Sequence, residues 1–285
     1  MGKYEYNGFA LAIGSHLDSE IVEIIKQMQT LQTGRIYFSY TYEEWSKNGE
    51  RYPDKDDLKI INEYFNKNII LSGIRNWWIP LLSNVEKFEF DRCEEDIEEV
   101  IDLLKNNNVK ALLFRNGPDK KFDLAKFLVF KDTLESLDID GNYKNIEIVI
   151  NEMKKLKNLS VSSMKIDFSL IKESSIEYFY YYGSKTKEWN DIVKFKKLKD
   201  LYIKSNITIG NIDFLSELKD LETIKFWYCS NIKKFPDLSG LKKLKEIEAE
   251  ECNRLEDISE VKKLKNIEIG IQGKMLPGKW YRVKN

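Results

Sequence analysis

The chain has 285 residues, 42% of them hydrophobic, which suits one large domain or two small ones with a sizeable core. Its 46 basic and 47 acidic residues leave a net charge of −1, so no overall excess draws it to nucleic acid or to an anionic membrane. Three cysteines do not make a secreted disulfide framework, no run is long and apolar enough to span a bilayer, and the apolar part of MGKYEYNGFALAIGSH is too short for a signal peptide.

A reduced, cytoplasmic protein is therefore expected. Gly2 does not open a myristoylation signal, because the sixth residue is Tyr6 rather than Ser or Thr. In that compartment the sequons at Asn158 and Asn206 carry no meaning.

The first predicted element is a strand over residues 9–13. A helix follows from about Asp18, with Ile21, Ile24, Ile25 and Met28 on one face. A second strand covers residues 36–40. DKDDLKIINEYFNK reads as a second helix with Leu58, Ile61 and Phe65 inward.

From residue 85 the chain repeats itself. Four KKLK strings, at 154–157, 196–199, 242–245 and 262–265, lead into copies of L-x-x-L-x-L-x-x-N/C. The units are Val85, Phe88, Phe90, Cys93; Val109, Leu112, Phe114, Gly117; and Leu134, Leu137, Ile139, Asn142. Next come Leu156, Leu159, Val161, Met164; Ile176, Phe179, Tyr181, Ser184; and Leu198, Leu201, Ile203, Asn206. The last three are Leu221, Ile224, Phe226, Cys229; Leu244, Ile247, Ala249, Cys252; and Leu264, Ile267, Ile269, Gln272. Their first positions step by 24, 25, 22, 20, 22, 23, 23 and 20 residues.

Nine units in near-constant step resemble the leucine-rich repeat family. The resemblance covers residues 85–272, about two thirds of the chain. It implies an α/β fold: a curved, right-handed solenoid with a parallel sheet on its concave side. Physics agrees with it. The last two apolar places of L-x-x-L-x-L are two residues apart, the period of a strand. One unit of ~22 residues cannot offset an ordering cost of ~1.5 kcal/mol per residue with a few side chains worth ~1.5–3 kcal/mol each, so units must stack.

Return segments carry the chain between strands. After Cys93, Ile97, Val100, Ile101 and Leu104 keep helical spacing, whereas later segments are short and hold Pro236 and Gly240. Helical backs are expected early, extended or 3₁₀ backs late. Residues 1–84 then form an α/β cap or degenerate repeats, and residues 273–285 a C-terminal cap with Trp280 over the last unit.

Cys93, Asn142, Asn206, Cys229 and Cys252 fall at the ninth place of their units. In the family this side chain turns inward and meets backbone groups that the turn leaves unpaired, so these are expected to be structural turn residues. Strand spacing permits a Cys229–Cys252 disulfide, and a reducing compartment argues against it. His16, the single histidine, is expected near a helix start at the surface. Neither a metal site nor a nucleophile–base pair is expected around it. The many acids read as a solvated face rather than a glycosidase pair, and no phosphate loop or GxGxxG is present. No cofactor and no catalysis are expected.

Strand alternation fixes what faces outward. Unit by unit these are Glu89 and Asp91, Leu113 and Arg115, Asp138 and Asp140, then Ser160 and Ser162. The next are Tyr180 and Tyr182, Tyr202 and Lys204, Lys225 and Trp227, then Glu248 and Glu250. Tyr178 and Tyr228 join the aromatic group, and Glu246, Glu251 and Glu268 the acidic one. Tyr and Trp dominate binding hot spots, and exposed apolar patches mark binding surfaces. The expected partner-binding residues are Tyr178, Tyr180, Tyr182, Tyr202, Lys204, Lys225, Trp227, Tyr228, Glu248 and Glu250. The opposing expectation is that the rings pack on each other or under a terminus.

The KKLK lysines read as a solvated strand edge rather than a phosphate-reading stripe. The expected function is non-enzymatic protein binding on the concave face, with the acids steering a basic partner. The size and a Lys-, Asn- and Ile-rich composition, of the kind an AT-rich bacterial genome encodes, suggest an intracellular antitoxin or immunity-type protein. The alternative is a carbohydrate or small-ligand binder that uses the aromatic patch as a stacking platform.

Overall fold

The computed structural model describes residues 4–6, 8–14, 16–38, 53–65, 67–90, 97–115, 121–141, 143–172, 174–276 and 280–283. The chain forms two compact units, Met1–Gly117 and Pro118–Asn285. The boundary expected after residue 84 lies within the first.

In the first unit six strands lie side by side in chain order. They are β1 (Tyr4–Tyr6), β2 (Ala10–Ile13), β3 (Gly34–Phe38), β4 (Ile69–Ser72), β5 (Lys87–Phe90) and β6 (Ala111–Phe114). β1 runs antiparallel to β2, and every later neighbour is parallel. Helices α1 (Ser19–Met28), α2 (Lys55–Tyr64) and α3 (Ile97–Leu104) return the chain, with a 3₁₀ turn at Asn76–Leu81.

The helix starts follow from capping chemistry. Asp18 accepts the N–H groups of Glu20 and Ile21. Asp54 and Asp57 close a capping box on α2. Ile21, Ile25 and Met28 are buried in α1, and Leu58 and Ile61 in α2. Phe65 is extended just beyond α2 and only half-buried, so the expected inward set loses its third member.

Leu11, Ile36, Leu71, Phe88 and Leu112 sit opposite one another across the strands and are fully buried. Residues 10–72 thus supply three more parallel strands to the sheet that β5 and β6 belong to.

In the second unit β7 (Phe122–Asp123) pairs only with β9 (Tyr143–Lys144). The main sheet runs β8 (Ser136–Asp140), β10 (Asn158–Ser162), β11 (Tyr178–Tyr182), β12 (Asp200–Lys204), β13 (Thr223–Trp227), β14 (Glu246–Glu250) and β15 (Glu268–Gln272), all parallel. β16 (Trp280–Val283) closes the edge antiparallel to β15. The C-terminal segment is therefore bound by backbone pairing; the side chain of Trp280 lies outside the described residues.

Each of the seven parallel strands buries its second and fourth residues. Leu137, Leu159, Phe179, Leu201, Ile224, Ile247 and Ile269 form one inward row, and Ile139, Val161, Tyr181, Ile203, Phe226, Ala249 and Ile271 the next. The expected last unit is corrected here. Ile247 pairs with Ile269, not with Ile267, and Gln272 faces outward. Two overlapping I-x-I strings compete at this point, and burial of Ile269 and Ile271 decides between them.

The backs of the second unit are mostly thin. 3₁₀ turns span Leu124–Phe130, Phe168–Leu170, Asn190–Lys194 and Asp213–Glu217, and α4 (Ile146–Glu152) is the longest α-helix. Around Pro236 the back is extended and held by a single bridge, Lys234 to Asp257, before one helical turn at Ser259–Lys262.

One local feature recurs. The residue directly after a strand has positive φ: Gly141 at 132°, Ser163 at 58°, Gly183 at 122°, Ser205 at 54°, Tyr228 at 58° and Glu251 at 53°. This bend lets Ser163, Gly183, Ser205 and Tyr228 donate their N–H groups to Tyr182, Lys204, Trp227 and Glu250 on the next strand, at 2.8, 3.0, 2.7 and 2.8 Å. The ladder is extended by one rung before the chain turns.

Candidate functional site

The outward positions of β11 to β15 form three rows. Tyr178, Asp200, Thr223, Glu246 and Glu268 make the first, and Tyr180, Tyr202, Lys225, Glu248 and Gly270 the second. Tyr182, Lys204, Trp227 and Glu250 make the third. The expected partner-binding residues are thus brought together on one face, with Tyr228 on its rim.

The aromatic side chains touch. Tyr178 and Tyr202 lie 5.1 Å apart between ring centroids and tilted, and Tyr202 meets Trp227 edge-on at 6.0 Å. Lys204 and Lys225 approach the rings of Tyr182 and Tyr202 at 6.0 and 5.7 Å. The rings are half-buried on one another and present their remaining surface outward; Tyr182 is 40% exposed and Tyr228 54%. Burial pushes the Tyr178 phenol up to about 12, with Tyr202 and Tyr180 adding to it.

The acidic end is tied to this cluster. Lys225 Nζ lies 2.6 Å from Glu246 Oε1 and 3.0 Å from Glu248 Oε2. Trp227 Nε1 donates to Glu248 Oε1 at 2.7 Å. Burial opposes the charge on Lys225, but its bonds to Glu246 and Glu248 raise its pKa overall. The Glu248 carboxyl is likewise penalised by burial yet held below the usual range by Trp227 and Lys225. Glu250 moves the other way: burial, then the neighbouring Glu248 carboxylate, push it up.

Beneath this face the turn residues behave as the repeat implies. Asn206 is fully buried, accepts the N–H groups of Thr208 and Ile209 at 3.1 and 2.8 Å, and donates to Thr186 O at 3.3 Å. Cys229 donates to Ile203 O at 3.4 Å and Cys252 to Phe226 O at 3.7 Å. Both are free thiols, fully buried, with pKa values pushed up by burial to about 12 and about 11. Cys93 and Asn142 lie outside the described residues. Met164 has no polar group for this task; the Tyr181 hydroxyl does it instead, donating to Met164 O and accepting Thr186 N–H, both at 2.8 Å.

Two outward residues of the first unit do not face solvent. Glu89 is 1% exposed and Leu113 8%. Glu89 accepts from Ser72 Oγ at 2.5 Å and lies 3.2 Å from both Arg35 and Arg115. Alternation placed Glu89 on the correct side of the sheet and said nothing about what lies over it.

His16 Nδ1 lies 2.7 Å from Asp57 Oδ2. The Asp57 oxygens also accept the N–H groups of Leu17 and Asp54, at 2.9 and 3.0 Å. His16, Asp54 and Asp57 group closely enough to suggest a metal site, but hydrogen bonds already use these oxygens, and the group joins the starts of α1 and α2. The KKLK lysines pair with acids one unit back: Lys199 with Glu177, Lys243 with Asp220 and Lys245 with Glu222.

No family model matches the chain, and no curated protein matches it by sequence. Among solved structures it is similar to an internalin from Listeria monocytogenes (14% identity, TM-score 0.45, covering 91% of this chain and 85% of that one). It is also similar to a leucine-rich repeat protein of Leptospira interrogans (16%, 0.45, 95% and 80%). A third is a plant peptide hormone receptor in complex with its peptide (14%, 0.44), of which this chain covers 74% of itself and only 37% of the receptor. At such identities these likenesses say nothing of partners. The in-register parallel strands, the two buried rows and the inward turn residues carry the assignment: the chain folds as a leucine-rich repeat solenoid.

Proposed function

We infer that this protein is a protein-interaction module whose partner seats on the outward face of β11 to β15. Leucine-rich repeat solenoids in general use the face of their parallel sheet for binding. The observation that carries the reading here is the continuous aromatic cluster of Tyr178, Tyr202 and Trp227, joined through Lys225 and Glu248 to an acidic end. Half-buried rings on a rigid sheet offer large contact area at little entropic cost.

Charge sets the kind of partner. Over the outward positions of β8 and β10 to β15, seven acids (Asp138, Asp140, Asp200, Glu246, Glu248, Glu250, Glu268) face two lysines (Lys204, Lys225). That is 2 − 7 = −5 on this face, against −1 for the whole chain. A basic protein surface is the complement. The test is affinity for a partner recovered with the wild-type chain, measured again with Tyr180, Tyr202 and Trp227 changed to Ala. A large loss is expected; unchanged affinity in a folded variant ends the reading.

A carbohydrate platform is the weaker reading, because Trp227 stands edge-on to Tyr202 with its indole edge bound to Glu248, leaving no shared ring plane. A glycan array lost in Trp227→Ala would reverse that order. A reducing, cytoplasmic setting agrees with two buried free thiols. The antitoxin or immunity role has no support from the surface itself; protection of cells co-expressing a neighbouring gene's toxin would supply it.

A further inference from the structure

Gly270 is the middle residue of β15. It fills an outward place that the neighbouring strands give to Tyr180, Tyr202, Lys225 and Glu248. Glycine weakens a strand interior, so it needs a reason. Backbone conformation supplies none, because Gly270 does not have positive φ. Packing supplies none either: a Cβ there meets no heavy atom within 4 Å. Gly273, three residues on, is the contrast, since its Cβ would stand 3.1 Å from the Cys252 carbonyl oxygen. What Gly270 provides is an empty place on the outward face; a glycine inside a strand often marks a bulge, a bend or a close approach by a ligand or another backbone, and the regular pairing of Gly270 on both sides leaves the last.

The gap has charged walls. Glu268 and Gln272 flank Gly270 along β15; Glu248 is opposite on β14, with Glu246 and Glu250 on its diagonals; Arg282 is opposite on β16. Four carboxylates against Lys225 and Arg282 leave 2 − 4 = −2. Lys225 is committed to Glu246 and Glu248. Arg282 is 72% exposed and stands 3.8 Å from Glu268. Among the described residues no cation lies within ion-pair distance of Glu250, whose carboxyl is pushed up by burial and by the neighbouring Glu248 carboxylate.

We propose that the gap over Gly270 receives an arginine side chain of the partner, its guanidinium among Glu250, Glu248 and Glu268, while an apolar residue of the same segment lies on Trp227. This deepens the docking reading above and rests on it. A guanidinium offers several fixed donors to carboxylates on more than one side, which a single ammonium does not. Trp227 on β13 and Gly270 on β15 are two strand spacings apart and one outward row offset, ~12 Å in all, which an extended backbone of about three residues and the reach of an arginine side chain together span. The partner segment is therefore apolar-x-x-Arg, laid across the strands.

The probe is a capped nine-residue Gly/Ser peptide with leucine three residues before arginine. Its control carries citrulline, which has the same shape without the charge. Each is titrated into the ¹⁵N-labelled full-length protein up to millimolar concentration. The arginine peptide should shift the Gly270 amide and the Trp227 indole resonances together, and the citrulline peptide should bind about tenfold more weakly or worse. Gly270→Val should hold or raise the wild-type Tm and lose the shifts at the residue 270 amide and the Trp227 indole. Equal binding of the two peptides, or unchanged binding by Gly270→Val, overturns the proposal. So does calcium giving the same shifts at similar concentration. Shifts at Tyr180, Tyr202 and Trp227 that leave Gly270 untouched keep the docking face and sink only the arginine site; no shift anywhere on the face sinks both.

Discussion

Trp227 and Glu248 are joined diagonally across β13 and β14, indole N–H to carboxylate at 2.7 Å, so the last ring of the aromatic cluster is anchored by the first acid beyond it. Trp227→Phe keeps a ring and removes the donor. We expect a loss of about 1 kcal/mol in unfolding free energy, read from urea midpoints at constant m-value.

Glu248 and Glu250 share one strand and have opposite pH signatures. The folded pKa of Glu248 is lowered, so it contributes stability above the ordinary carboxylate range, lost as pH falls through its folded value. That of Glu250 is raised, so its contribution is present at low pH and lost as pH rises through its folded value. Glu248→Gln should therefore destabilise at pH 7 and lose that effect in acid, once pH has fallen through the folded value of Glu248. Glu250→Gln should stabilise at pH 7. Denaturant titrations of both variants at pH 7 and in acid check the signs; equal effects at both would contradict them.

Glu89 holds Arg35, Arg115 and Ser72 from a place with no solvent access. Removing its charge leaves two guanidinium groups without their shared counter-ion and turns one acceptor oxygen into a donor. Glu89→Gln should cost about 3 kcal/mol, within the range for broken buried ion pairs. Because the two arginines are each about 40% exposed, adding salt should change this value little only if the carboxylate itself is the desolvated partner.

The positive-φ residues that end the strands differ in what they tolerate. Ser205, at 54°, sits in the left-handed region that side chains reach at a cost of roughly 1–2 kcal/mol. Gly183, at 122°, sits where only glycine is at ease. Ser205→Gly should be neutral to slightly stabilising, whereas Gly183→Ala should cost about 1–3 kcal/mol. Thermal unfolding of the two variants side by side distinguishes them.

Most of the second unit was legible because its inward residues recur at L-x-x-L-x-L spacing and nothing else in those segments offers a better core. The last unit slipped by two residues because Ile267, Ile269 and Ile271 spell the same pattern in two frames. The strands at Leu11, Ile36 and Leu71 were not legible as repeats. Their spacing to one another and to Phe88, 25, 35 and 17 residues, follows no period, although the sheet aligns them in one row with Phe88. On the candidate site, alternation put the tyrosines, Lys225 and Trp227 on one face. It was silent on Lys225 being consumed by Glu246 and Glu248, since side-chain pairing depends on cross-strand register. The strand-ending bends were invisible for a different reason: Gly, Ser, Tyr and Glu all occupy them, so no residue type marks the place.

Those bends have a wider consequence. By stopping β8 and β10 to β14 at five residues each, they make the surface displayed by those strands three side chains deep, at the first, third and fifth places of each. For the docking face proposed above, recognition would be written like text in a narrow column: each repeat adds one line of three letters, and lengthening the protein adds lines without widening any of them. A single-residue change at Tyr202, Lys225 or Gly270 edits one letter while the inward rows keep the spelling of the fold.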